Sequence, residues 1–526
     1  MPLIDSSRIG HYDDGPREAS RMRESIHIIG GGIAGLSAGC YAQMNGYQSR
    51  VFEMNSVPGG LCTAWRRDGY TIDGCIHWLV GSSPTHRLHR VWREVGAVPH
   101  QPIYNHDLFI QIEGESGDAF TLFTNIDRLA AHLIELAPED RDVLSEWIRG
   151  LHRFARMDLP IEQPIDWIGA IRKLGSSLRF LPHIGAFRRW AQTTVRQFAD
   201  DLDNPFLRQT FPLAFDFPDF PMVAMMMTLA WMHNNGSGYP IGGSLPFARS
   251  IEQRYLDLGG VIEYGARVEK ILVDENRAVG IRLADGTECN SDLVVSAADG
   301  HATIFDLLEG SYCGAAVRSH YEQLPIFPPL LLLGIGVNRI LDGFPHAASG
   351  LNFPLHDAIT VDCRKLTRLS VQANTFDPTL APHGKTVLKV TIPSNYERWR
   401  KLSEEPHAYR EEKDAIVAEV LRGLDQRFPG LSSDVEMIDV ATPMTWYRHT
   451  GNWQGSFEGW LPSPKSLALR MPNTLPGLYG FYMAGQWVLP GGGLPAAVIS
   501  ARHAIRLICK NDNKRFRTST PRAPAS

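Results

Sequence analysis

The sequence predicts an α/β protein, a Rossmann-type dinucleotide-binding domain interleaved with a mixed sheet-plus-helical domain. Three observations carry this expectation. Ser25-Ile-His-Ile-Ile-Gly30-Gly-Gly32-Ile33-Ala34-Gly35-Leu-Ser-Ala-Gly39 reads as a strand, a glycine turn and a helix. Ser49-Arg-Val-Phe-Glu53 reads as a second strand ending on an acid. A glycine-rich stretch returns near the C-terminus at Gly485–Pro495, so distant chain closes the first domain.

Each residue of the opening motif has a physical task. Gly30 permits the tight turn, Gly32 lets backbone approach a pyrophosphate, and Gly35 lets helix and strand pack closely. The helix N-terminus offers unpaired N–H groups to phosphate charge. Glu53 falls where an acid accepts hydrogen bonds from ribose hydroxyls. This end of the chain is expected to bind a dinucleotide.

The next segments narrow the dinucleotide. Glu53 is followed by Met54-Asn-Ser-Val-Pro58-Gly59-Gly60-Leu61-Cys-Thr63 and then by Arg66-Arg67-Asp68-Gly69-Tyr70-Thr-Ile-Asp73-Gly74. The C-terminal stretch contains Gly485-Gln486 and Gly491-Gly492-Gly493-Leu494-Pro495 and runs into Ala496–Ile505. In this order the motifs resemble the phytoene desaturase, carotenoid isomerase and retinol saturase group of FAD-dependent oxidoreductases. Gly74-Cys-Ile-His77-Trp78-Leu-Val-Gly81 is most similar to the retinol saturase branch. Similarity also covers Val268–Asp299 and Thr442–Gly459, so it spans most of Ser25 to Lys510. The resemblance implies FAD as cofactor and a glutathione-reductase/amine-oxidase-like form of the Rossmann-type domain. It implies cofactor contacts by Gly30, Gly32, Ile33, Ala34, Gly35, Glu53, Met54, Gly59, Gly60, Leu61, Gly485, Gln486, Gly492, Gly493 and Leu494, and adenine contact by the backbone of Val268. Many members carry Asp where this chain has Gln486, so no acidic role is transferred there. Pro495 suits the first turn of a helix. The glycines before it let backbone lie against a flat ring, and the helix would aim its positive end there.

The remaining chain is read as two interleaved units. Residues 25–100, 240–310 and 441–510 are expected to form the discontinuous FAD-binding domain, and 101–239 and 311–440 the substrate-binding domain. A hairpin is expected from Leu108–Ile112 and Ala119–Phe123 around the turn at 113–118. Pro138 starts a helix carrying Leu144, Trp147, Ile148, Leu151 and Phe154 on one face. After Gly242-Gly243 come a helix over 246–258, strands at Val261–Tyr264, Arg267–Val273 and Ala278–Leu283, with Asp285-Gly286 as a hairpin turn. Asp292–Ala298 and Leu330–Val337 are further apolar strands. Residues 1–24 are expected to be a flexible arm, and the basic Pro/Ser-containing tail 511–526 to be disordered.

Composition excludes several classes. A chain of 526 residues exceeds what one core supports. A net charge of −5 leaves no basic footprint for nucleic acid. No run is long and apolar enough to span a membrane as a helix. Seven scattered cysteines without a CxxC pair argue for a reducing, cytoplasmic compartment and against a metal site.

His77 and Trp78 are the candidate catalytic pair beside the ring, His77 as a donor of a hydrogen bond or proton; a buried interface histidine fits the same position. Arg448 and His449 either orient a polar substrate end or sit in a surface ion pair. The Phe- and Met-rich stretch Phe211–Met232 suits either an adaptable apolar tunnel or a helical core. With the resemblance, these features imply desaturation or saturation of carbon–carbon bonds in a lipophilic, isoprenoid or polyene-like molecule by hydride transfer at flavin N5. A reduced-FAD double-bond isomerase is the alternative, and a non-enzymatic prenyl-binding escort protein is the reading from another class. Gly334-Ile-Gly336 lacks a third glycine, so no dedicated NAD(P)H domain is expected. The electron partner stays open among NAD(P)H, a quinone and oxygen, and a substrate of this kind is compatible with peripheral attachment to a membrane.

Overall fold

The computed structural model describes residues 24–98, 101–157, 181–215, 217–464, 466, 471–489 and 491–521. The expected N-terminal arm therefore lies outside the described residues, Glu24 excepted. At the centre is a five-stranded parallel sheet in the order Val261–Tyr264, Gln48–Glu53, Ser25–Ile29, Leu293–Ser296 and Phe481–Met483. Parallel sheets are covered on both faces, and strand periodicity shows how. Leu293, Val295 and Tyr482 pack with helices Ile33–Met44, Ser244–Asp257 and Gly493–Asn511. Val294, Phe481 and Met483 face the opposite way, onto Ile271, Ala278 and Ile281 of a three-stranded antiparallel sheet.

A second sheet of seven strands runs in the order Val435–Ala441, Leu330–Val337, Thr386–Pro393, Arg364–Ala373, Leu351–Val361, Leu108–Glu113 and Ala119–Phe123. Its strands are antiparallel except where Leu351–Val361 meets Leu108–Glu113 in parallel. The expected hairpin is thus an extension of a sheet built mainly from chain 200 residues further on. Helix Pro406–Arg427 covers one face through Ile416, Val420 and Leu424. Helices Ile126–Leu136, Arg141–Ala155 and Met222–His233 share a separate apolar cluster around Trp147.

Three elements differ from expectation for local reasons. Pro138–Asp140 forms a 3-10 turn, and the α-helix begins at Arg141. The Asp140 carboxylate accepts from the N–H groups of Asp203 (2.6 Å) and Asn204 (2.9 Å), and so does not cap the helix. Helix Ser244–Asp257 starts ahead of Pro246, because the Asp73 carboxylate accepts the Ser244 N–H at 3.1 Å. The tail, expected to be disordered, is tied down over residues 512–521. Lys514 pairs with Glu24 at 2.9 Å, the Arg517 N–H donates to Asn45 at 2.7 Å, and Phe516 lies 5.8 Å from the Tyr41 ring with Arg502 over its face. One aromatic within a polar segment is enough to dock it; residues 522–526 lie outside the described residues.

Phe516→Ala removes that packing and is expected to lower stability by about 1–2 kcal/mol, measured as a shift in the denaturant midpoint at unchanged m.

Candidate functional site

A cavity of about 1320 Å³ is lined by residues of both large sheets and of the helical cluster. Drug-sized ligands occupy roughly 300–1,000 Å³, so this one has room for a larger occupant or for two. Every residue expected to touch a dinucleotide lines it except Gly35.

Gly35 acts from behind the wall. A Cβ there would lie 1.9 Å from the Gly30 carbonyl oxygen, so only glycine lets the helix approach the turn. Gly30 takes φ +97° and its N–H donates to Phe52, tying the turn to the neighbouring strand at 2.8 Å. At Gly32 the situation is reversed. A Cβ would make only ordinary van der Waals contact, 3.7 Å from the Gly59 carbonyl oxygen, so packing does not demand glycine there, and the residue lines the cavity. Gly32 also caps helix Ile33–Met44 with no side-chain hydrogen bond, leaving the first N–H groups unpaired. The Gly59 N–H donates to Gly31 at 2.9 Å and brings Gly59, Gly60 and Leu61 alongside. Glu53 is 5% exposed; its Oε2 accepts the Gly31 N–H at 2.6 Å and its Oε1 accepts from Asn55 at 2.7 and 2.8 Å. The acid therefore holds the glycine loop as well as facing the cavity beside Met54. Val268 sits at an irregularity in the pairing of its strand with Arg277–Leu283 and lines the same end.

The C-terminal glycines form a second cradle. Gly485 takes φ +114° and its N–H donates to Ser500 Oγ at 2.8 Å. Gly492 caps helix Gly493–Asn511, again without a side-chain hydrogen bond. Glu458 lies against this cap, since a Cβ on Gly493 would stand 2.8 Å from its Oε1. Its carboxyl takes no hydrogen bond among the described residues, opens only into the cavity, and is pushed up to about 7 by burial. Asp299, also in the wall and also raised to about 7 by burial, differs in that its oxygens accept the N–H groups of Ala302 (2.9 Å) and Trp453 (3.0 Å).

The fit to FAD is direct: two helix N-termini without side-chain caps, a glycine-rich lining at Gly32, Gly485 and Gly491, and an acid at the second strand end. Gly32 and the first turn of Ile33–Met44 would hold the pyrophosphate, Glu53 the ribose, and Gly491–Leu494 would lie against the ring.

Much of the remaining lining is apolar. Ala224, Met227, Thr228 and Trp231 line it at i, i+3, i+4, i+7 of helix Met222–His233, while Met222, Met225, Met226 and Met232 point into the core. The Phe/Met stretch is both wall and core, divided by helix face. Aromatic contacts run from Trp78 to Phe109 (5.3 Å), on to Phe215 (4.6 Å) and Phe220, and through Phe217 and Phe327 to Phe457. His77 lines the cavity next to Trp78; burial first, then Lys389 and His106, lower it to about 3. It is a neutral imidazole, able to donate one hydrogen bond but not to serve as an imidazolium acid. His449 lines the rim, where its carbonyl accepts from Asn55 at 2.7 Å, whereas the Arg448 Nε donates to Met444 O at 3.1 Å.

Sequence reasoning missed Glu458, Asp299 and Lys389. Lys389 carried a signal, a lone cation in the apolar run Thr386-Val-Leu-Lys-Val-Thr-Ile-Pro393. Glu458 carried none, because its isolation is a property of the folded loop.

Comparison with known proteins agrees with this geometry. Residues 33–509 match the family model of flavin containing amine oxidoreductases, and the chain belongs to that family. It is 26% identical over 504 residues to the chloroplastic prolycopene isomerase of Daucus carota, covering 91% of this chain and 79% of that protein. It is 25% identical over 515 residues to the lycopene-forming phytoene desaturase of Pseudescherichia vulneris, covering 93% and 100%. Among solved structures, an oxidoreductase from Methanosarcina mazei aligns with TM-score 0.59 at 17% identity, over 92% of this chain and 100% of that one. Cyclohexylamine oxidase from Brevibacterium oxydans aligns with TM-score 0.55 at 15% identity, over 94% and 100%. These last two speak to the fold alone. The protein is an FAD-dependent oxidoreductase, which sets aside the escort-protein reading.

Two expectations follow. Gly35→Ala must separate helix from turn and is expected to cost about 1–3 kcal/mol, whereas Gly32→Ala keeps the fold and loses bound FAD; thermal unfolding and the flavin-to-protein absorbance ratio separate the two. Glu458 ionises near 4.5 when unfolded and near 7 when folded. The native state retains its proton longer, so stability falls as pH rises through that window, by up to about 3 kcal/mol above it. Glu458→Gln is expected to flatten this part of the stability–pH curve, read from unfolding midpoints between about pH 4 and about pH 8, which bracket that window.

Proposed function

We propose that the enzyme changes the saturation of carbon–carbon bonds in a lipophilic isoprenoid or polyene. The observation that carries this is one cavity holding both the dinucleotide cradle and an aromatic wall running from Trp78 to Phe457. The prolycopene isomerase and phytoene desaturase names of its relatives support the same substrate class. On this reading residues 25–100, 240–310 and 441–510 form the FAD-binding unit, and 101–239 and 311–440 the substrate-binding unit.

Bound FAD supplies hydride exchange at its N5 position. The protein contributes a dry apolar wall that orients a long chain and excludes water. His77, neutral, donates a hydrogen bond from the ring side. Glu458, unpartnered and ionising near neutrality, is matched to lending or taking the proton that accompanies a change at carbon. A group able to give a proton and recover it also serves a double-bond shift with no net redox, so isomerisation is the second reading. Electrons are exchanged with NAD(P)H, a quinone or oxygen. Among the described residues no helix is long and apolar enough to cross a membrane; peripheral attachment would give access to a substrate dissolved there.

The test is anaerobic incubation of the FAD-loaded protein, oxidised or pre-reduced with NAD(P)H, with polyenes of graded unsaturation. A shift in polyene absorption matched by flavin bleaching or recovery is expected for net redox. A changed chromatographic isomer at constant mass and constant flavin state identifies the isomerase. Failure of every polyene to react in either flavin state would overturn the proposal.

A further inference from the structure

Lys389 has no task in the mechanism above. Its cross-strand partners are Gly334 and Gln372. The space a side chain at Gly334 would take is filled by Ile72, and the Lys389 Nζ reaches the carbonyl of the next residue, Asp73, at 3.1 Å. Lys389 is 5% exposed and lines the cavity. An ammonium has three N–H donors, and this carbonyl takes one; no other acceptor for it is found among the described residues. Leaving donors of a buried cation unused is costly.

Charge and hydrogen bonding are separated at this point. Burial lowers the Lys389 ammonium below the usual lysine range, and the Asp73 carboxylate draws it part of the way back. Its two oxygens, however, are occupied by the N–H groups of Cys75 (3.1 Å) and Ser244 (3.1 Å), the Tyr239 hydroxyl (3.0 Å) and the Ser244 hydroxyl. The positive charge is offset in part while the donors remain unfilled. A carboxylate ligand would bring a second negative charge into a buried site that already holds the Asp73 carboxylate. A neutral oxygen would fill the donors and add no charge. The floor around Lys389 is polar in the same sense: Gln372, Ser370 and Thr391 also line the cavity.

We infer that Lys389 binds a neutral oxygen, carbonyl or hydroxyl, on the substrate, so that the enzyme takes an oxygen-bearing polyene in preference to a pure hydrocarbon. This rests on the polyene reading given above.

The FAD-loaded protein is titrated with four polyenes of one chain length, ending in a ketone, an alcohol, a carboxylate or a hydrocarbon terminus. A hydrogen bond from a charged donor corresponds to about tenfold or more in affinity. The ketone or alcohol is expected to bind about tenfold or more tightly than the hydrocarbon, the carboxylate less tightly than either, and the bound ketone to absorb further to the red. Lys389→Met is expected to erase the preference and the red shift while leaving FAD content and the flavin spectrum of the ligand-free protein unchanged. Equal binding of ketone, alcohol and hydrocarbon by the wild type overturns the inference and leaves the polyene reading intact, and needs no variant to fold. Tightest binding of the carboxylate overturns the neutral-oxygen assignment. A shifted flavin spectrum in Lys389→Met with the ketone preference retained assigns the lysine to the flavin and overturns it too. If no polyene binds, the parent reading fails along with it.

Discussion

The buried carboxylate of Asp73 holds the architecture of the site together. It is fully inaccessible to solvent and accepts from the chain turning at Cys75, from Tyr239 on the short strand Ser237–Pro240, and from Ser244 through both its N–H and its hydroxyl. Hydrogen bonds to a charged group contribute roughly 1.5–3 kcal/mol each, and an unpaired buried carboxylate costs far more. The first chain segment at Asp73–Cys75 and the chain returning at Tyr239–Ser244 are therefore joined through one side chain. The Ser244 N–H is one of the orphan donors of a helix start, so Asp73 also fixes where helix Ser244–Asp257 begins. That helix packs its Tyr255 against Gly39 of the glycine-turn helix. One carboxylate thus positions the layer that supports the cofactor cradle and, through its own backbone carbonyl, the ammonium of Lys389 on the cavity floor.

The two uncapped helix starts in the cavity behave differently because their neighbours differ. At Gly32 the nearest acid is Glu53, which accepts from Gly31 and stiffens the loop without crossing into the open space. At Gly492 the nearest acid is Glu458, whose carboxyl lies over the cap and accepts nothing. A helix N-terminus favours a carboxylate, yet burial without a hydrogen bond outweighs that preference and holds Glu458 near neutrality. The first cradle is arranged to receive permanent negative charge. The second carries an acid that responds to charge arriving and leaving.

Much of the first cradle was legible in the sequence because its constraints are local. Gly30, Gly32, Gly35 and Glu53 follow from backbone sterics within one strand–turn–helix unit, and the hairpin at Leu108–Phe123 from alternation and a glycine turn. The seven-stranded sheet was not legible beyond that hairpin and Leu330–Val337, since its order depends on pairings such as Leu351 with Gln111 that no local pattern encodes. The Met-rich helix could be read as core or as tunnel because composition does not record direction. Its residues divide by helix face, Ala224, Met227, Thr228 and Trp231 toward the cavity. The tail was misread for the opposite reason, its polar composition hiding the aromatic anchor Phe516 and the partners of Lys514 and Arg517.

The cavity is graded in polarity, which constrains how an extended molecule lies in it. Apart from the Trp78 indole N–H, the aromatic run to Phe457 offers no donor along its rings, whereas Lys389, Gln372, Ser370 and Thr391 gather on adjacent strands of one sheet face. A long apolar chain with one polar end has a preferred direction in such a space, because reversing it buries the oxygen among phenylalanines and leaves Lys389 unfilled. Losing a hydrogen bond to a charged donor while desolvating an oxygen costs several kcal/mol, more than repacking flexible methionine and aromatic side chains along the wall recovers. Direction along the chain decides which carbon–carbon bond lies beside the ring. On the reading proposed above, the polar floor governs regiochemistry, and the apolar wall supplies affinity without choosing the bond.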